Sequence, residues 1–278
     1  MNASTADTLP ALDGGYQLTD EQIHDYRQNG HIIVRGLASP EEVEAYRPLV
    51  REAALRHNRE TRPLEKRDTY GKAFLQIENL WQKDDAVRRM ILSRRFARVA
   101  AQLMGVSGVH LYHDNALFKE PGGGPTAWHQ DQHYWPLDTN DTVTLWMPLV
   151  DISPAMGSMT FVDGTHMLGH LGHFDLGDKS QQVFSEMIAE RNLKLQTYGA
   201  MQAGDATFHA GWTLHSAPGN PTDTLREVVN IIYYADGTRV LTPDNKPREV
   251  DLRNNLPGLK GGDIAATELN PLLYSSER

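Results

Sequence analysis

Val109-His-Leu-Tyr-His-Asp-Asn-Ala-Leu-Phe118 is the stretch in which the chain changes character. Upstream, apolar residues recur at helical spacing. From here they alternate, the pattern of a strand with successive side chains on opposite faces. Strand-like runs follow at Ala127–Gln132, Val143–Val150, Ser158–Val162, Gln196–Met201, Ala206–His209, Thr213–Ser216 and Arg226–Tyr234, with a helix expected at about Gln181–Arg191. Pro121-Gly-Gly-Gly-Pro125 and Pro218-Gly-Asn-Pro221 read as breaks and turns between them. Many short strands after a helical N-terminal third predict a mainly β protein with flanking α-helices, an antiparallel barrel or jelly roll with the helices packed outside.

Outward from this core, residues up to about Tyr16 read as a loose tail. Thr19-Asp-Glu-Gln22 and Ser39-Pro-Glu-Glu42 are capping boxes, the second with proline at the first helical position. Their helices are expected to end near Gly30 and His57, with a short strand at His31–Arg35 between them. Arg59 to Tyr70 is charged and aperiodic and reads as a loop. Asp84 to Met104 reads as one helix closing at Gly105. The last forty residues, rich in Pro, Asn and Gly, are expected to wrap the surface. No repeat or linker divides the 278 residues. We expect a single domain over 1–278, with a helical N-terminal third, a jelly-roll core at about 109–236 and a wrapping C-terminal tail.

The net charge of −9 is spread along the chain, with no basic stripe to neutralise phosphates, so no nucleic-acid partner is expected. Cysteine is absent, which excludes disulfides, thiolate nucleophiles and cysteine-held zinc or iron–sulfur centres. A metal would need nitrogen and oxygen donors. The N-terminus lacks the basic and apolar regions of a secretory signal, and no run approaches the roughly 18 apolar residues of a membrane span. The expected location is the cytoplasm, away from membranes. The sequence carries no signal for oligomeric state.

His129-Gln130-Asp131 is the motif that carries chemistry. On a strand, His129 and Asp131 share a face while Gln130 points away. A third donor must come from another strand, and His215 fits. Two imidazoles and one carboxylate on one face leave three positions of an octahedral ferrous ion open for a bidentate 2-oxo acid and dioxygen. Arg226 opens a strong strand, Arg226-Glu-Val-Val-Asn-Ile-Ile-Tyr-Tyr234. On the same face as Val228 and Ile232, a buried arginine must find an anion. A hairpin-like return through Pro218–Pro221 would bring it beside the metal strand, at the distance of a five-carbon diacid. The alternative is an exposed arginine at a strand start. A second His-x-Asp, His173-Phe-Asp175, lies among glycines with no strand pattern and ranks below the first. His166, His170 and His173 read as loop residues rather than a second metal site, and His209 as a core histidine or one supporting the donors.

These residues resemble the phytanoyl-CoA dioxygenase family of iron(II)/2-oxoglutarate oxygenases. The resemblance rests on His129-Gln-Asp-Gln-His-Tyr-Trp-Pro136, on Val143–Val150 and Gly157–His166, on Gly204-Asp-Ala-Thr-Phe-His-Ala-Gly-Trp-Thr-Leu-His215 with Asn220 and Arg226, and on the opening at Thr19–Gly36. It is weakest at 59–102 and beyond Asp236. It implies a double-stranded β-helix (jelly roll, cupin-like). It also implies Fe(2+) on His129, Asp131 and His215, 2-oxoglutarate with its distal carboxylate on Arg226, and O2 as co-substrate. Gln130 and Trp146 match positions that line the co-substrate pocket, packing in the barrel being the other reading. Lys119 either approaches that pocket or is exposed. Where some relatives carry a hydroxyl residue two positions after the distal histidine, this chain has Ala217, so an anchoring hydrogen bond is missing or Thr222 or Thr224 replaces it. Asp131 fills the position that chloride takes in related halogenases, so oxygenation is expected.

His133, Tyr134 and Trp135 form either a wall of the substrate pocket or a lid on its mouth, and His113 and Asn115 alternate into the cavity. The expected activity is oxidation, foremost hydroxylation, of an unactivated C–H bond of a small organic molecule, in secondary metabolism, with release of succinate and CO2. The alternatives are cyclisation, desaturation or epimerisation by the same machinery, or an acyl-CoA substrate met by Lys66-Arg67. Further off stand a metal isomerase or hydrolase indifferent to 2-oxoglutarate, and a non-catalytic metal-binding β-barrel.

Overall fold

Both capping boxes form. Before helix α1 (Asp20–Asn29), the Gln22 amide donates to Thr19 Oγ1 and the Thr19 amide to Gln22 Oε1. Ser39 and Glu42 repeat the exchange before α2 (Pro40–His57). Each box satisfies two of the amides that a helix start leaves open. The computed structural model describes residues 9–277. The remaining elements are β1 (His31–Val34), α3 (Thr69–Ala73), β2 (Leu75–Glu78), α4 (Asp85–Ile91), α5 (Arg94–Met104), β3 (Gly108–Lys119), β4 (Thr126–His129), β5 (Thr142–Pro148), β6 (Thr160–Val162), α6 (Asp178–Glu190), β7 (Leu195–Thr197), β8 (Ala206–Ala210), β9 (His215–Ala217), β10 (Arg226–Ala235), α7 (Lys246–Asn255) and β11 (Leu272–Ser275).

The strands form two antiparallel sheets flanked by helices. The larger runs β1-β8-β5-β10-β3-β11, with β2 also on β3; the smaller runs β4-β9-β6-β7. Period two decides what each face of the larger sheet meets. Val229, Ile231 and Tyr233 of β10 pack into the same core as Phe96, Val99 and Leu103 of α5. Burial of each such side chain contributes roughly 1.5–3 kcal/mol. The alternate residues Arg226, Asn230 and Ile232 line a cavity on the opposite face. On β3 the alternation is broken once. The pairing with β10 slips between Ile232 and Tyr233, so that Ile232 faces His113 while Tyr233 faces Leu111. This bulge at Tyr112 lets Val109 and Leu111 pack on the helices while His113, Asn115 and Leu117 line the cavity. Strict alternation would have put all five on one face.

Several expectations are corrected. The single helix over 84–104 is two, α4 and α5. Ser93 Oγ accepts from the Phe96 amide and restarts the helix, and the same hydroxyl donates to the Leu12 carbonyl. Leu12 is 3 % exposed, and Tyr46 Oη donates to the Pro10 carbonyl at 2.8 Å, so residues 9–16 are docked. The rest of the expected loose tail, 1–8, lies outside the described residues. The charged stretch 59–70 ends inside α3, and strand β2 follows it. The C-terminal segment does more than wrap. Leu256 and Ala265 are buried, Asn270 donates to the Leu111 and Tyr112 carbonyls, and β11 pairs with β3. Among the described residues, no helix is long and apolar enough to cross a membrane.

Candidate active site

A cavity of about 400 Å³ is lined from both sheets, by Asn115, Thr144 and Asn230 of the larger and by Thr126, His129 and His215 of the smaller. β4 and β9 place His129 directly opposite His215, with ring centroids 4.1 Å apart. His129 Nδ1 lies 2.8 Å from the Ala127 carbonyl and His215 Nδ1 lies 2.9 Å from the Thr213 carbonyl. A carbonyl only accepts, so each Nδ1 carries the proton and each Nε2 keeps its lone pair. Both Nε2 atoms face one carboxylate oxygen, Asp131 Oδ1, at 3.4 and 3.6 Å.

Asp131 reaches this point by a different route from the expected one. The strand ends at His129, and Asp131 opens a 3-10 turn, Asp131–His133. The turn, not the pleat, brings its carboxylate back beside His129. Its other oxygen accepts from Thr144 Oγ1 at 2.8 Å and from His209 Nε2 at 3.1 Å. Burial alone would raise the Asp131 pKa. The imidazoles around it, His215 first and then His129 and His209, instead hold it well below the usual carboxylate range. Burial, then His129, holds His215 well below the usual imidazole range, keeping it neutral. One potential donor atom from each of His129, Asp131 and His215 lies within 4.8 Å of the others.

Arg226 sits at the inner end of β10 and is 2 % exposed. The expected hairpin return from His215 does not occur. β9 belongs to the smaller sheet, β10 pairs with β3 and β5 in the larger, and the chain crosses between sheets through 218–225. The arginine therefore lies on the opposite wall of the cavity. One guanidinium nitrogen donates to the Gly157 carbonyl at 2.6 Å, and Nε has no partner. Its carbon lies 5.4 Å from the Trp146 ring centroid. Directly across the ladder is Lys119, fully buried, whose Nζ donates to the Gly124 carbonyl and lies 3.4 Å from Thr126 Oγ1. Burial pulls Arg226 down to about 9; burial and then Arg226 pull Lys119 down to about 6. Among the described residues, no carboxylate pairs with either side chain. A buried guanidinium beside a buried amine, without a counter-ion, is costly unless an anion joins them.

Other expected residues divide. His113, Asn115, Tyr134, Trp135 and Trp146 line the cavity. Gln130 does not: its amide group donates to the Gly169 and Trp212 carbonyls and accepts from the Leu171 amide, tying down a loop. His133 does not either; it faces Asp175, His170 and His173. Thr222 and Thr224 bond with Asn220 and with each other, away from the cavity. The hydroxyl at the expected place comes from the neighbouring strand, where Thr126 pairs with Ala217. Neither Lys66 nor Arg67 lines the cavity, and Arg67 is bound to Glu120. Thr126 and Thr144 escaped notice in the sequence because their only signal is strand register.

Two imidazoles and a carboxylate, open toward a cavity, are the donor chemistry of non-haem iron(II) oxygenases. The protein is an Fe(II)- and 2-oxoglutarate-dependent oxidoreductase of that class. The family model for phytanoyl-CoA dioxygenase (PhyH) matches residues 26–228, and the chain belongs to this family. Among its relatives is a probable alpha-ketoglutarate-dependent hypophosphite dioxygenase of Stutzerimonas stutzeri, 26 % identical over 227 residues, covering 77 % of this chain and 78 % of that one. A solved structure of the epimerase SnoN in complex with Fe3+, alpha ketoglutarate and nogalamycin RO superimposes with a TM-score of 0.74 at 28 % identity, over 91 % of this chain and 98 % of that one. The alpha ketoglutarate-dependent carbocyclase SnoK from nogalamycin biosynthesis gives a TM-score of 0.76 at 24 % identity, over 98 % and 99 %.

Proposed function

We propose that His129, Asp131 and His215 hold Fe(II), and that Arg226, Lys119 and Thr126 hold the distal carboxylate of 2-oxoglutarate at the closed end of the cavity. The observation that carries this reading is the buried Arg226 guanidinium on the cavity wall, with no carboxylate partner and with the Lys119 amine across the ladder from it. An arginine fork and a neighbouring amine suit a carboxylate. When bound, iron and 2-oxoglutarate supply, with O2, the oxidation of a C–H bond and release succinate and CO2. The chain's own residues do the positioning. The Ala127 and Thr213 carbonyls fix the imidazole tautomers, and Thr144 and His209 fix Asp131. Trp146 packs against the Arg226 guanidinium. We take the two sheets as the halves of a double-stranded β-helix and the chain, 1–278, as one domain. In support, α7 adds Pro247 and Asp251 to the cavity wall. A cytoplasmic setting without a nucleic-acid partner completes the reading.

The substrate is a small to mid-sized organic molecule of secondary metabolism, bound in the outer cavity among Tyr70, Phe74, Tyr134 and Trp135. Outside Arg226 the charged lining is acidic, from Glu78, Asp175 and Asp251, which does not suit the phosphates of a CoA ester. Similarity to an epimerase and a carbocyclase favours ring closure or epimerisation over plain hydroxylation. The test is a metabolite screen for stimulated succinate release, followed by product masses. Ring closure gives a product two hydrogens lighter, epimerisation an unchanged mass, hydroxylation one added oxygen. His129→Ala or Asp131→Ala abolishes succinate release; full turnover by either variant refutes the iron assignment.

A further inference from the structure

A second group of histidines lies apart from the iron pocket. His133 follows Asp131 in the 3-10 turn, and the glycine-rich segment 169–177 brings His170 and His173 against it. One ring nitrogen from each of the three lies within 4.8 Å of the other two. None of them lines the cavity. His133 is 4 % exposed. Its Nε2 meets Asp175 Oδ1 at 3.0 Å, while its Nδ1 is buried with no partner. A buried imidazole nitrogen left unpaired costs roughly 1–3 kcal/mol. Packing does not explain that cost, because the other two rings are exposed at the surface.

We propose that His133, His170 and His173 form a second metal site, for a borderline dication of the zinc(II) type, next to the substrate cavity. His133 Nδ1 is the atom left for the ion. Asp175 on Nε2 fixes the ring and its tautomer, the arrangement in which a carboxylate orients a metal-bound imidazole. Three nitrogens suit zinc, with a fourth position for water. Zinc–nitrogen bonds of roughly 2.0–2.1 Å require the group to draw in slightly. Gly169 and Gly172 allow this, since both already have positive φ, 65° and 138°. Burial, then His173 and His133, lowers the His170 pKa, favouring the neutral, ligating form. The nearby Arg248 also disfavours charge on His170, but it is paired with Asp244 at 2.8 Å. Asp244 thus offsets Arg248, and Asp175 supplies a negative charge beside the ion.

The site would act on the cavity wall. Asp175 and Leu176 of the same segment line the cavity, and the Leu176 amide donates to Tyr134 Oη at 2.7 Å. Gln130 already holds the start of the segment. An ion on His170 and His173 would pin its middle and fix the outer wall. The proposal does not depend on the iron assignment, and the test separates the two. Metal-free full-length protein is dialysed against zinc chloride, and bound zinc is counted by mass spectrometry. Wild type is expected to hold two equivalents. His170→Ala/His173→Ala holds one, the equivalent lost by His129→Ala/His215→Ala. Asp175→Asn keeps the site but weakens it about 10- to 100-fold. In wild type, zinc slows proteolytic cleavage within 169–177, and in His170→Ala/His173→Ala it does not. Circular dichroism verifies that these exposed-loop variants fold. The proposal falls if His170→Ala/His173→Ala binds as many equivalents of zinc as wild type.

Discussion

Replacing Arg226 with methionine should stabilise the protein without co-substrate and cripple co-substrate binding, two effects of opposite sign. The guanidinium is 2 % exposed and has one carbonyl partner. Its pKa falls from 12.5 to about 9 through burial. At about 1.4 kcal/mol per pH unit, roughly 5 kcal/mol of desolvation is unrecovered at neutral pH, where the group is charged both folded and unfolded. Methionine removes that cost, loses a charge-assisted hydrogen bond of about 1.5–3 kcal/mol, and keeps most of the packing against Trp146. The net gain is about 2 kcal/mol, or roughly 4–8 °C in Tm. Losing the carboxylate's partner costs about 2–5 kcal/mol in 2-oxoglutarate binding, some 30- to several thousand-fold. At 2-oxoglutarate equal to about 100 times the wild-type Kd, wild type gains about 2.7 kcal/mol and the variant under about 1 kcal/mol. Thermal melts with and without 2-oxoglutarate, with a redox-inert dication in place of iron, read both effects. A variant that melts lower than wild type without co-substrate, or keeps the wild-type ligand shift, would refute the reasoning.

Lys119 predicts a pH dependence. Its folded pKa is about 6 against 10.5 unfolded, so the unfolded chain binds more protons between those values. Stability without co-substrate therefore rises with pH across that window. A bound carboxylate raises the amine's pKa, so 2-oxoglutarate binding takes up a proton above about pH 6, and affinity falls as pH rises. Calorimetry in buffers of different ionisation enthalpy measures this, and Lys119→Met should flatten the profile. Thr126→Val should raise the KM for 2-oxoglutarate about 3- to 10-fold and leave kcat nearly unchanged. His209→Phe removes one hydrogen bond from Asp131. Iron affinity should fall about 10- to 100-fold by equilibrium dialysis, while 2-oxoglutarate affinity at saturating metal holds.

The local signals in this chain were legible where a short-range rule decides the outcome. The boxes at Thr19 and Ser39 and the face-splitting of β10 are set by neighbouring residues. Where a tertiary contact decides, the sequence misled. The break at Ser93 depends on Leu12 accepting its hydroxyl. The β3 bulge depends on its ladder with β10, and β2 exists only because β3 pairs with it. Strand period places Asp131 on the face of His129, yet a 3-10 turn delivers it. The strand pattern marks Arg226 as an anion clamp, but its neighbour Lys119 and its position on the facing sheet are properties of register. His170 and His173 looked like loop residues because nothing local announces His133 beside them.

The central claim is that His129, Asp131 and His215 bind one iron and that Arg226 positions 2-oxoglutarate upon it. Anaerobic visible absorption tests this most directly. Wild type should give a charge-transfer band only when Fe(II) and 2-oxoglutarate are both present. Asp131→Ala should lose the band at iron levels that saturate wild type, and Arg226→Met should recover it only at far higher 2-oxoglutarate. An unchanged band in Asp131→Ala, or no band in wild type, would contradict the account.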